Sequence, residues 1–91
     1  MIIDIVADHY KCSPADIIST KRNKEIVIPR QVVMYPCRHM TDSPLQEIGR
    51  YLGGKDHTTI LNGIKKITKQ LETDETMRNT IDVLKKKINP A

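Results

Sequence analysis

From Ile60 onward apolar residues return as Ile60, Ile64, Ile67 and Leu71, at i, i+4, i+7 and i+11. That spacing lines one side of an α-helix and neither face of a strand, so the segment has to be a helix with a single buried stripe. Its other side carries Thr58, Asn62, Lys65, Lys66 and Lys69, with Leu61 on the flank. The same period marks a first short helix at Ile2, Ile3, Val6 and Tyr10. It marks a third at Val32, Val33, Cys37 and Met40, and a sixth at Met77, Ile81, Leu84 and Ile88. No stretch alternates with a period of two. The expected class is therefore all-α, about six helices forming one domain over residues 1–91.

Punctuation supplies the boundaries. Ser13, Pro14 and Asp16 read as N-cap, first helical residue and acidic first turn of a short second helix. STKRNKE at 19–25 is polar, basic and aperiodic, hence a loop, and Pro29 fits the first position of the third helix. Ser43, Pro44 and Gln46 predict a capped start for a fourth helix over 45–52. Gly53 and Gly54 end it, because glycine accepts the left-handed conformation of a helix C-terminus. A turn at 53–55 then leads to a helix over 56–71, and Thr73 or Asp74 caps the sixth. Two helices joined by a tight glycine turn make a helix-turn-helix, whose second helix enters a major groove with its first residues at the base edges.

Charge and composition narrow the partner. The chain carries a net +4 with a sequence pI near 9.2. The excess lies in two stretches: Lys21, Arg22, Lys24, Arg30 and Arg38 against Glu25, and Lys65, Lys66 and Lys69 with no acid among residues 57–71. Such clusters suit a polyanion. With no Phe, no Trp and three Tyr, the chain lacks the stacking platform of modules that grip single strands, so duplex DNA is the better fit. Cys12 and Cys37 form no C-x-x-C pair or other metal-ligand spacing and read as reduced thiols. No apolar run approaches the ~18 residues of a membrane span, and the N-terminus lacks a basic signal segment. A cytoplasmic, nucleoid-associated location is expected.

At the start of the fifth helix, Asp56, His57, Thr58 and Thr59 combine exposed polar groups with free backbone N–H donors and the positive end of the helix dipole. Asp56 can accept from a cytosine amino group, His57 can donate or accept at a base edge, Thr58 can set its methyl against a thymine methyl, and Thr59 can hold a phosphate. Asp56 is equally a good N-cap, and ideal helical phase turns His57 toward the apolar side. Geometry is poor for an acid–base pair of Asp56 with His57, since neighbouring helical residues point about 100 degrees apart, and no nucleophile or metal set accompanies them. No catalytic or metal-binding role is expected.

The run KDHTT followed by I-L-x-x-I-K-K-I resembles the signature of the C-terminal DNA-binding domain of the bacterial chromosomal replication initiator DnaA. The likeness extends through IVIPRQVVMY at 26–35, C-R-x-M-T-D at 37–42, PLQEIGRYLGGKDHTTI at 44–60 and KKI at 65–67, and so covers nearly the whole chain. It implies a six-helix module that binds, as a monomer, short asymmetric A·T-rich boxes of double-stranded DNA in replication origins, resembling TTATNCACA. By the same resemblance Asp56, His57 and Thr58 read the major groove, and Arg22 in the basic loop enters the minor groove, where a narrow A·T tract concentrates negative potential. Lys24, Arg30, Gln31, Arg38, Leu45 through its N–H, Gln46, Thr59 and Lys66 fall on positions at the DNA backbone, which orient rather than select. Regulatory proteins are further expected partners.

Departures from the family pattern carry expectations of their own. Pro36 stands where leucine is usual, and an interior proline removes a hydrogen bond at a cost of roughly 3 kcal/mol, so a kink or lost turn near Val32 is expected. Pro44 and Gln46 replace the usual serine and proline, with Ser43 restoring a cap one residue earlier. No G-x-x-x-x-G-K-[ST] phosphate loop is present, so no cofactor is expected in this chain. ATP would bind a separate ATPase domain of a full-length family member, and the chain reads as a domain of an initiator in preference to a stand-alone regulator of the same boxes. A protein-interaction module using the lysine face is the other alternative.

Overall fold

The computed structural model describes residues 1–91, which form six helices and no strand: α1 (Ile2–Tyr10), α2 (Pro14–Ile17), α3 (Lys24–His39), α4 (Leu45–Tyr51), α5 (His57–Thr73) and α6 (Glu75–Ile88). Helix α3 is the centre of the molecule, packed most extensively on α5 and also against α1, α2 and α4; α6 closes the far side against α1 and α5. One continuous core joins Ile2, Val6, Ile17, Val32, Val33, Met34, Cys37, Ile48, Leu52, Ile60, Ile67 and Leu84, among others. Burial of those side chains is the main force holding the short helices, which are too brief to persist alone. Cys37 lies within this core, where burial pushes its thiol up to about 11.

Most periodic readings place the correct face inward: Ile60, Ile64 and Ile67 on α5 and Met77, Ile81 and Leu84 on α6 are buried. Ser13 accepts from the Asp16 N–H at 3.1 Å, as its cap sequence predicts, and Asp74 rather than Thr73 caps α6 by accepting from the Met77 N–H.

Two boundaries and one interior position differ from expectation. Helix α3 starts at Lys24 instead of Pro29, because the Asn23 carbonyl already accepts from the Ile26 and Val27 N–H groups, both at 2.9 Å. Pro29 therefore sits inside the helix, and the missing N–H falls opposite the carbonyl of Glu25, an exposed residue. Pro36 costs no turn. The helix runs unbroken through it, with the Pro36 ring fully buried and the Met40 N–H bonded to the Pro36 carbonyl at 2.8 Å. Packing of a 16-residue helix on four neighbours outweighs one lost bond. At α4 the N-cap is Pro44, and the Ser43 hydroxyl pairs with Thr41 instead of capping.

Candidate nucleic-acid interface

Helix α4 ends at Tyr51, and Gly53 and Gly54 follow with φ of 87° and 86°. The Gly54 and Lys55 N–H groups both donate to the Gly49 carbonyl at 2.9 Å, which folds the chain back on α4. Gly49 is needed there for space: a Cβ would meet the Lys55 oxygen at 2.1 Å. The turn then hands over to α5, with Asp56 in extended conformation as its N-cap. Expected and observed spans of the helix-turn-helix agree within two residues at each end.

One Asp56 oxygen, Oδ1, accepts from the Thr59 N–H at 2.8 Å, and the residue is exposed. The cap and base-reading roles are thus compatible in one carboxylate. Bonding to the Thr59 backbone holds the Asp56 carboxyl below the usual carboxylate range. His57, Thr58 and Thr59 are all exposed. His57 does not turn toward the apolar side as ideal phase predicts, since the first turn of α5 extends past the core that begins at Ile60.

Two hollows flank this first turn. One, of about 530 Å³, is lined by Gln46 and Arg50 of α4 with Gly54, Lys55, Asp56 and His57. The other, of about 410 Å³, is lined by Thr20 and Arg22 of the basic loop, Val27, Arg30, Gln31 and Met34 of α3, and Lys55 and Thr59. The fold therefore brings Arg22, Gln31 and Thr59 together on one side and Gln46, Asp56 and His57 on the other. The Gln31 Oε1 atom is buried without a partner, and the residue itself is half-buried. Lys66 is exposed farther along α5.

Arg38 is exposed and donates to the Ser43 carbonyl at 3.0 Å, which sets its guanidinium beside the start of α4. There the Leu45 and Gln46 N–H groups have no intramolecular acceptor. Lys24 is exposed but lies toward Tyr10, Glu25 and Ile28, at a third hollow. Arg30 departs most from its expected place. It is only 6% exposed, and its guanidinium donates to the carbonyls of Asp16, Ile17, Ser19 and Lys21. A side chain whose donors are used by its own chain has little left for a phosphate. Lys55, which residue patterns did not single out, lines both hollows. Its place at the head of the KDHTT run, one residue before the cap, is the local signal that could have found it.

Salt bridges are confined to the N-terminal amine with Asp4 and to Lys21 with Asp16. Arg22, Lys24, Arg38, Lys65, Lys66 and Lys69 thus stand un-neutralised. No three His, Cys, Asp or Glu side chains converge as a metal site, and no helix is long and apolar enough to cross a membrane.

Comparison with known proteins agrees with this geometry. Residues 1–67 match the family described as the bacterial dnaA protein helix-turn-helix. The chain is 44% identical over 90 residues to the chromosomal replication initiator protein DnaA of Lachnoclostridium phytofermentans, covering 99% of this chain and 20% of that protein. It is 48% identical over 86 residues to the protein of the same name from Geobacter sulfurreducens, covering 94% of this chain and 19% of the relative. The chain thus spans about a fifth of the length of these relatives. A solved structure described as a DNA replication initiation factor superposes with a TM-score of 0.85 at 32% identity, over 94% of this chain and 26% of the other. The chain belongs to the family of bacterial DnaA helix-turn-helix domains.

Proposed function

We propose that this domain binds short, asymmetric, A·T-rich boxes of double-stranded DNA at a replication origin, as the DNA-binding module of an initiator. The observation that carries the reading is the exposed first turn of α5, Asp56 to Thr59, presented by a tight glycine turn and bordered by un-neutralised cations. Asp56, His57 and Thr58 contact base edges in the major groove, and Arg22 enters the adjoining minor groove. Lys24, Gln31, Arg38, the Leu45 N–H, Gln46, Thr59 and Lys66 meet the DNA backbone and fix register. Arg30 acts from inside the protein. Each box takes one copy, because an asymmetric site does not call for a two-fold dimer. The domain works in the cytoplasm on the nucleoid. ATP is bound by another part of a full-length initiator, and regulatory proteins meet the complex there.

The test is a titration comparing the box with a scrambled duplex of equal length at one fixed salt concentration. A clear preference for the box is expected. Equal affinities would end the reading, and would favour an acidic protein as the partner of the lysine face.

A further inference from the structure

Two cations on separate elements hold one short piece of backbone. Arg30, on α3, donates from Nε to the Ile17 carbonyl at 2.6 Å and from its two terminal nitrogens to Lys21 at 2.9 Å, Ser19 at 2.9 Å and Asp16 at 3.2 Å. Lys55, in the turn before α5, donates from Nζ to the Ile18 carbonyl at 3.1 Å and to Leu52 at 3.0 Å. Between Asp16 and Lys21 only Thr20 keeps its carbonyl out of this grip. The Ile18 oxygen is also wedged against Gly53, where a Cβ would meet it at 2.2 Å. The segment leads directly into Arg22, whose side chain is exposed.

Such an arrangement is more than a stabilising contact. A guanidinium with fixed planar donors defines both the distance and the orientation of the carbonyls it meets. Lys55 stands one residue from the Asp56 cap, so the anchor of the basic loop and the start of α5 share a single frame. Burial and the nearby Arg30 charge draw the Lys55 ammonium below its ordinary range, a sign that the two cations are close. With carbonyls turned inward to the cations, the loop presents Arg22 outward.

We infer that Arg30 and Lys55 are positioning residues that lock the basic loop to the helix-turn-helix, so that Arg22 and the first turn of α5 engage a duplex at one fixed separation. This rests on the proposed reading of Arg22 as the minor-groove residue. A pre-placed arginine adds selectivity for the A·T half without the entropy loss of ordering a loop on binding.

The experiment measures affinity at fixed salt for three duplexes: the box, the box with its A·T half changed to G·C pairs, and the box with its other half scrambled. The proteins are wild type, Arg22→Ala, Arg30→Lys, Lys55→Met and the pairwise combinations with Arg22→Ala. Arg30→Lys and Lys55→Met are each expected to lower preference for the A·T half by on the order of tenfold, comparable to one mismatched pair, and to leave preference for the other half intact. Adding Arg22→Ala to either should lower the A·T preference no further. In the free proteins, trypsin should cut after Lys21 and Arg22 faster in both variants than in wild type, with melting profiles showing that the fold persists. Should Arg30→Lys fail to fold, Lys55→Met decides alone, since its side chain is partly exposed. If Arg22→Ala loses the A·T preference while the clamp variants keep it, or if they weaken both halves equally, positioning is refuted and the Arg22 reading stands. If Arg22→Ala itself leaves that preference unchanged, the Arg22 reading fails, and the inference with it.

Discussion

Asp56 is the residue where the helix cap and the proposed base contact draw on the same carboxylate. Its carboxylate caps α5 through the Thr59 N–H, and its depressed pKa has a fixed consequence for stability. A carboxyl whose folded pKa lies below its unfolded value stabilises the fold above the unfolded value and loses that contribution as pH falls through the folded one. The melting temperature of wild type should therefore exceed that of Asp56→Ala at neutral pH, and the gap should narrow once the pH drops below the ordinary carboxylate range. A gap that stays constant down to the acid limit would deny the cap its ionic character. The exposed Thr58 side chain makes no such intramolecular hydrogen bond, so its loss should be felt chiefly on DNA. Thr58→Ala should weaken binding to the box by ~1–3 kcal/mol and hardly alter binding to random duplex. Lys66→Ala should weaken both alike, because a phosphate contact carries no sequence information. Parallel titrations of the two variants on both duplexes check this.

At the level of elements, local signals and tertiary packing disagreed in informative places. Both prolines of α3 read as boundary or damage, yet a helix buried against four neighbours carries them inside it. Proline penalties are local, whereas the burial that offsets them comes from residues far along the chain. The Ser43 signal failed for a related reason: Arg38 of α3 and Thr41, two residues past its end, hold that segment, leaving Pro44 as the cap and two N–H groups free. The glycine turn, by contrast, was legible because a left-handed backbone is a demand on residue type itself. Its two glycines are not equivalent. Gly54→Ala meets open space and should cost only the left-handed strain, about 1–2 kcal/mol. Gly53→Ala adds a collision with the Ile18 backbone oxygen, roughly 1–3 kcal/mol beyond that. Denaturant unfolding of the two variants should rank them in that order, and the reverse order would mean that the loop is not seated on the turn.

For the whole molecule, the decisive quantity is where free positive charge remains after folding. Three of the proposed backbone contacts are cationic side chains left exposed and unpaired, namely Lys24, Arg38 and Lys66. Counterion release at about 0.9 per neutralised phosphate then predicts a slope of log K against log salt of roughly −2.7. A slope near −1, measured on the box by titration at several salt concentrations, would mean that most of these cations miss the backbone. Lys24 is the first to doubt in that event, since it faces the Tyr10 side. The one-sided apolar periods and the glycine turn were enough to settle an all-α helix-turn-helix and to mark the exposed polar turn at Asp56 to Thr59, because helix phase and left-handed turns depend on neighbours within about four residues. Which cations face outward was decided only in three dimensions. Arg30 looks like any other basic residue along the chain, and it becomes an internal clamp because folding brings to it carbonyls 9 to 14 residues away. Lys55 reaches one 37 residues away. A guanidinium or ammonium takes whichever acceptors the packed fold supplies, and no spacing in the chain encodes that choice.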